Sequence, residues 1–240
     1  MKYFFAFTVC IIAAAGLLAQ PVSKAVPFYK KAQKLQEQGF YYEAIASYKK
    51  AIALDKKYDS AHLSLAGLYL RISKTDSAVM VLKTAVKSKP AFVAAHEMLG
   101  LIYRDYTRNA AEAVIHYSNA VKYDSSNKVD FYSLAWCSND LKKYQDAVKY
   151  AEKALDIDNN YRPAYNELAH AFRNLKTYPE AIAIFKKRLD ISVNEQPLYY
   201  SGLCYIEMND KAGATKMYEE LVKINSKSAD PLKKKIDAMQ

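Results

Sequence analysis

The sequence predicts an all-α chain in which about six helical hairpins stack as a solenoid, closed by a short C-terminal capping helix. Three observations predict it. The phrase Tyr42-Glu43-Ala44-Ile45-Ala46-Ser47-Tyr48-Lys49-Lys50-Ala51 returns along the chain as a frame of small, large and small residues. The frame is Ala44, Tyr48, Ala51, then Ala78, Leu82, Ala85, then Ala113, Tyr117, Ala120, then Ala147, Ala151, Ala154, then Ala181, Phe185, Arg188, and more loosely Ala214, Tyr218, Leu221. The leading alanines are 34, 35, 34, 34 and 33 residues apart. A second phrase, clearest in Met98-Leu99-Gly100-Leu101-Ile102-Tyr103, precedes each copy and recurs as Leu65-Ala66-Gly67-Leu68-Tyr69, Leu134-Ala135, Leu168-Ala169-His170-Ala171-Phe172 and Ser201-Gly202-Leu203-Cys204-Tyr205. Large apolar residues at i, i+3 or i+4 and i+7 give each phrase one buried stripe, and the small residue within it lets a second helix approach closely.

The repeats are placed at 25–58, 59–92, 93–127, 128–161, 162–194 and 195–228, with the capping helix at 229–240. Counted from the first residue of each repeat, positions 8 and 20 are all small: Ala32, Ala66, Gly100, Ala135, Ala169, Gly202 and Ala44, Ala78, Ala113, Ala147, Ala181, Ala214. The first repeat opens at Ala25. Its first helix ends near Gly39, where a left-handed cap is wanted, and its second spans Tyr41 to Leu54. Asp59-Ser60 supplies N-cap residues for repeat two, which closes at Pro90. Repeat three carries an extra residue between Asp105 and Ala111, predicting a larger hairpin turn. Repeat four starts from Asn127, and repeat five from Asn160 with Pro163 in the first turn. Thr177-Tyr178-Pro179-Glu180 has the pattern of a capping box. Arg188 and Leu221 replace the small residue of the frame, predicting looser packing between the last two hairpins. Beyond repeat six, Asp230-Pro231 starts a helix with Leu232, Ile236 and Met239 on one face and lysines on the other, as an open solenoid end requires.

The two phrases and their spacing resemble the tetratricopeptide repeat family, whose 34-residue period carries aromatic, Leu, Gly, Tyr, then Ala, aromatic, Ala, Pro. The resemblance covers about 204 of the 240 residues. It implies a right-handed α-α superhelix whose inner curve holds a partner segment. Position 4, where the family often has Trp, is Phe28, His62, His96, Phe131, Tyr165 and Leu198.

The chain ends carry other information. Lys2 precedes an uncharged run from Tyr3 to Leu18, and Ala19 follows, the pattern of a secretory signal peptide over residues 1–19. Cleavage after Ala19 is expected, giving an exported, periplasmic or cell-envelope protein. The alternative, an uncleaved anchor, has a 16-residue run where a spanning helix needs about 20. Without Lys2 the balance is 34 basic to 25 acidic residues, a net charge of +9. Charge of this sign attracts acidic proteins, anionic lipids or nucleic acid, but the lysines are scattered in small groups and export removes nucleic acid from the expected partners. With 6 Gly, 7 Pro and 51% hydrophobic residues there is no long disordered linker. Cys137 and Cys204 lie two repeats apart, too far for a disulfide within one chain.

No catalytic set is legible, so no enzyme activity, metal or cofactor is expected. His96-Glu97 lacks the second His four residues after the first that a metalloprotease helix needs. Glu167-Leu168-Ala169-His170 has the spacing of a di-iron ligand pair but occurs once, where such sites need it twice. His62 and His96 at position 4 read as packing residues in an aromatic slot. No nucleophile elbow, phosphate loop or Cys-x-x-Cys is present.

The function that remains is binding of a protein or peptide segment. At 100° per residue, positions 5, 9 and 12 of a first helix lie about a quarter turn from the buried stripe, and in proteins the chain resembles they line the groove. The groove residues are Tyr29, Leu63, Leu70, Leu101, Arg104, Tyr132, Trp136, Asn139, Asn166, His170, Arg173 and Tyr199, with Trp136 as the main anchor. The family's best-known subgroup clamps a C-terminal carboxylate with Lys and Asn at positions 2, 5, 6, 9 and 13. Repeat one has Val26, Tyr29, Lys30 and Gln33 there, so that clamp is missing. The alternative is a structural or assembly role, in which the rod self-associates or joins an envelope complex through its ends or convex face.

Overall fold

The computed structural model describes residues 23–192 and 194–239. The expected leader at 1–19 lies outside the described residues. The chain divides into two compact units, residues up to Val81 and residues from Leu82 onwards. All described elements are helical, and none is long and apolar enough to cross a membrane.

The first unit contains α1 (Val26–Glu37), α2 (Tyr41–Leu54), α3 (Asp59–Arg71) and the start of α4 (Thr75–Ser88). Its core brings Ala25, Ala51 and Ala61 together, with Phe28, Tyr29, Ile52 and Tyr58 packed against them. The second unit holds the rest of α4, then α5 (Val93–Leu101), α6 (Ala110–Tyr123), α7 (Lys128–Asp140), α8 (Tyr144–Ile157), α9 (Arg162–Asn174), α10 (Tyr178–Ile191), α11 (Glu195–Glu207), α12 (Lys211–Lys223) and α13 (Ala229–Asp237). Odd-numbered helices up to α11 are the first members of hairpins, and even-numbered helices the second.

The small residues explain the packing distance. All twelve at positions 8 and 20 are buried. A Cβ at Gly100 would sit 2.9 Å from the ring of Tyr117, and one at Gly202 would sit 2.6 Å from Leu232. A side chain at Gly100 would therefore require the Tyr117 ring to move, and one at Gly202 would require Leu232 to turn its methyls away. Each hairpin turns through one left-handed residue, and these residues also keep the period: Gly39, Ser73, Arg108, Lys142, Lys176 and Asn209. Only the first is glycine, so five of these turns hold a side chain in the αL region at a modest cost.

The extra residue of repeat three does not lengthen the turn as expected. It is absorbed at the end of α5, which continues into a π-helical turn over Ile102–Tyr106. The Thr107 amide there donates to the carbonyl of Ile102. Widening by one residue preserves the phase of the hairpin, since Arg108 still takes the left-handed position.

Three helix starts also differ from expectation. Tyr58 precedes α3 as its cap, so Asp59 is already helical, and Tyr161, not Asn160, precedes α9. Both tyrosines are held by ring packing, Tyr58 at 5.1 Å from Tyr29 and Tyr161 at 5.8 Å from Tyr132. Aromatic burial therefore outweighs one capping hydrogen bond, which contributes about 1 kcal/mol. Thr177 caps no amide of α10, and its hydroxyl donates instead to the carbonyl of Phe172 at 3.1 Å. Asn127 caps α7, its side chain accepting from the Val129 amide at 3.0 Å.

The last two hairpins are closely packed, against the looser contact expected from Arg188 and Leu221. Ala169, Ala181, Phe185 and Cys204 form one cluster across them, and Phe185 stacks on Tyr200. Arg188 is buried and turns its guanidinium to the Ser192 carbonyl at 3.0 Å, capping its own helix. Leu221 is fully buried with Leu198, Leu232 and Ile236, so it serves the contact with α13. On α13 Lys233, Lys234 and Lys235 are exposed.

Position 4 has a structural explanation. His62 Nε2 lies 3.0 Å from the carbonyl of Lys56, His96 Nε2 lies 3.0 Å from that of Pro90, and the Tyr165 hydroxyl donates to that of Asn159 at 2.9 Å. In each case the acceptor is six residues upstream, in the loop between hairpins. These side chains satisfy a loop carbonyl that the helix cannot reach.

Candidate functional site

In the second unit the first helices α5, α7, α9 and α11 are joined by hydrogen bonds between side chains about thirty residues apart in the chain. Arg104 Nη1 donates to Ser133 Oγ at 2.6 Å, linking α5 to α7. Asn127, the α7 cap, donates to Glu97 Oε1 at 2.8 Å and to Asp130 Oδ2 at 3.2 Å. Asn139 donates to the carbonyl of Glu167 at 3.0 Å and to its Oε2 at 2.8 Å, linking α7 to α9. Asn166 donates to Gln196 Oε1 at 3.2 Å, linking α9 to α11. Position 9 of these helices is then a row formed by Leu101, Trp136, His170 and Leu203, and position 12 a row that includes Arg104, Asn139 and Arg173.

The predicted residues divide by what they touch. Tyr29, Leu63 and Leu70 belong to the first unit and are half-buried there, with Tyr29 packed on Tyr48 and Tyr58. Asn139 is 7% exposed and spends its amide on Glu167. Arg104 is bound through two parallel contacts to Asp105, at 2.7 and 2.9 Å, besides Ser133. The hydrogen bonds that Arg104 donates to Asp105 raise the Arg104 pKa against the opposing effect of burial. The Tyr132 ring is edge-on to Tyr161, and burial raises its hydroxyl pKa. Tyr199 is half-buried and packs edge-on against Tyr200. Leu101 is exposed. Trp136 is half-buried and makes no hydrogen bond, ring pair or cation contact with any described residue.

His170 stands beside Asn174, whose amide donates to the His170 carbonyl at 2.7 Å. Burial, then the charge of Arg173, lowers the His170 pKa and favours neutral imidazole. Glu167 is engaged by Asn139, and burial raises its carboxyl pKa. The Glu-x-x-His pair is thus drawn to different neighbours. Among the described residues no three His, Cys, Asp or Glu side chains are grouped so as to hold a metal ion. Cys137 and Cys204 are free and buried, with thiols pushed up to about 12 and about 11 by burial.

Several residues of this face were not legible in the sequence. Ser133 and Glu167 are acceptors for Arg104 and Asn139. Tyr200 lies under the Arg173 guanidinium at 5.0 Å. The one available signal was position: Ser133 and Glu167 both fall at position 6, next to the groove register. Asp130 is 2% exposed, and burial together with the nearby Glu97 carboxylate pushes its carboxyl up to about 7.

Comparison with known proteins now decides the family. A model of the tetratricopeptide repeat protein 21 C-terminal ARM domain matches residues 16–171, and a tetratricopeptide repeat model matches residues 198–228. The chain belongs to the tetratricopeptide repeat family. Solved structures share the fold. YrrB, described as a TPR protein with an unusual peptide-binding site, aligns at TM-score 0.69 and 19% identity over 78% of this chain and 97% of its own. PilW, a type IV pilus biogenesis factor, aligns at 0.63 and 19% over 87% and 97%. MamA aligns at 0.62 and 22% over 70% and 91%. No curated protein sequence matches the chain at a significant level. The TPR fold of this chain is that of a protein-interaction scaffold.

Proposed function

We propose that the chain is a non-catalytic adaptor of the cell envelope that holds a segment of another protein along its first-helix face. Trp136 carries this reading. It is a large aromatic at the middle of the position-9 row, half-buried, with no hydrogen bond, ring pair or cation contact among the described residues. Aromatic residues in this state are the usual anchors of protein interfaces. The peptide-binding site named for YrrB supports the mode. Export rests on the sequence of residues 1–19 and accords with PilW being a type IV pilus biogenesis factor.

Trp136→Ala is expected to abolish partner capture while leaving the helical circular dichroism signal intact. A photoreactive residue at Trp136, followed by mass identification of the crosslinked chain, would name the partner. Loss of the dichroism signal in the variant would reassign Trp136 to the core.

A second reading, assembly through the second-helix face, draws on a hollow of about 610 Å³ between α6 and α8. Val121, Phe131, Tyr150 and Ile157 line it together with Lys122 and Lys153. A strictly monomeric mass by light scattering at high protein concentration would count against self-assembly.

A further inference from the structure

Arg173, unlike Asn139 and Asn166, donates no hydrogen bond to a neighbouring helix among the described residues. Its guanidinium lies over the Tyr200 ring at 5.0 Å, and its Nε is buried without a hydrogen-bond partner. No carboxylate among the described residues pairs with it. A cavity of about 370 Å³ opens beside it, lined also by Asn174, Lys176, Tyr178, Glu207 and Lys235. The three cations arrive from separate elements. Arg173 lies in the last turn of α9, Lys176 occupies the left-handed turn before α10, and Lys235 comes from α13. Glu207 is the one acid in the lining, and the nearest group bonded to it is the Tyr178 hydroxyl at 3.5 Å. The lining therefore carries two more positive than negative charges.

We propose that this cavity is a carboxylate-binding subsite, which anchors an acidic group of the segment bound along the first-helix face. The proposal rests on that segment-binding reading. A guanidinium presents parallel N–H groups that match a planar carboxylate. The Tyr200 ring, 5.0 Å below the guanidinium, holds that charge beside the cavity. Arg173 lines the cavity without a carboxylate partner among the described residues, so a bound carboxylate would supply the acceptor that its guanidinium lacks. A monoanion suits the lining better than a phosphate dianion because Glu207 repels the second negative charge. A side-chain carboxylate and a chain-terminal one share this chemistry.

The test uses the full chain with sodium benzoate as probe, followed by the Arg Nε–H resonances in ¹⁵N-resolved NMR. A saturable shift at Arg173 is expected, with Kd on the order of millimolar, and benzamide should produce none. R173Q and K235Q should each weaken benzoate by about tenfold, with circular dichroism unchanged. No shift at Arg173, or tighter binding of inorganic phosphate than of benzoate, overturns the subsite.

Two displayed peptide libraries, one with free C-termini and one with internal segments, are then selected on the parent chain and on R173Q. An acid at a fixed offset from an apolar anchor, kept by the parent and lost with R173Q, supports the proposal. The library that enriches tells which carboxylate is used. The same apolar consensus on both, without acid preference, sinks the subsite and leaves the segment reading standing. Benzoate binding with no peptide enriched over W136A does the reverse: it keeps a carboxylate site and removes the segment.

Discussion

Arg104 and Arg173 occupy the same register of two first helices, one in repeat three and one in repeat five. Arg104 is surrounded by partners: Asp105 on two atoms, Ser133 across the helix boundary, and the Tyr117 ring at 5.8 Å. Arg173 has only a ring beneath it and a buried Nε without an acceptor. The cause of the difference is local. Repeat three has one extra residue, and the π-helical turn that accommodates it holds Asp105 beside Arg104. Repeat five has Asn174 next to its arginine, and that amide turns back to the His170 carbonyl. One arginine is thereby part of the wall that joins α5 to α7, and the other remains open to a ligand.

This contrast can be broken at several points. The largest effect is expected from Arg104→Gln, which leaves Asp105 and Ser133 without their donor and should lower stability by about 2 to 3 kcal/mol in urea unfolding. Arg173→Gln should change stability by less than about 0.5 kcal/mol. Equal losses from the two would mean that Arg173 is structural.

Asp130 sharpens the structural side of the comparison. Its folded pKa of about 7 lies above the usual value near 3.8, so the folded state binds the proton more tightly. Its contribution is fully present below about pH 3.8 and is lost as the pH rises through about 7. Asp130→Asn should remove that loss and make the chain more stable than the parent at pH 8, by on the order of 2 kcal/mol, with little gain at pH 4. Unfolding midpoints at the two pH values measure it.

His116 acts in the opposite sense. Burial, followed by the charges of His96 and Lys83, depresses its pKa to about 4. The bond of His96 Nε2 to Pro90 leaves His96 Nδ1 to accept from His116 Nδ1 at 3.2 Å. A depressed folded value means stability that is present above about pH 6.5 and lost as the pH falls toward 4. His116→Gln should flatten that acid limb by about 1 kcal/mol, read from thermal midpoints between pH 6.5 and 4.5.

The smallest effect in energy is the most direct for the comparison. Asn174→Asp places an acid beside Arg173, as Asp105 stands beside Arg104. It should weaken benzoate binding by about tenfold while leaving the unfolding midpoint within about 0.5 kcal/mol of the parent. Unchanged benzoate binding would show that an adjacent acid is not what separates the two arginines.

The hairpins were legible because their signal is local. Ala44, Ala78 and the other small residues mark where two helices touch, and Gly39 marks a left-handed turn in residue type as well as in period. The other turn residues, such as Arg108 and Lys142, were hidden because nothing in their type announces positive φ. The starts of α3 and α9 were misplaced because Asp59 and Asn160 are good caps, whereas Tyr58 and Tyr161 win by burying rings that only the neighbouring hairpin supplies. Of the groove residues, Trp136 and Arg173 were legible by register. That Arg104, Asn139 and Asn166 join one first helix to the next depends on acceptors about thirty residues away.

The 34-residue period, the small residues at positions 8 and 20 and the absence of a recognisable catalytic motif were determined by the sequence itself, since a helix of 3.6 residues per turn assigns each position to a face. Which of two equivalent arginines is neutralised, and where three cations from α9, its following turn and α13 line one cavity, was decided by the tertiary structure. The physical reason is that charge pairing and burial depend on distances between helices, and those follow from how neighbouring hairpins pack.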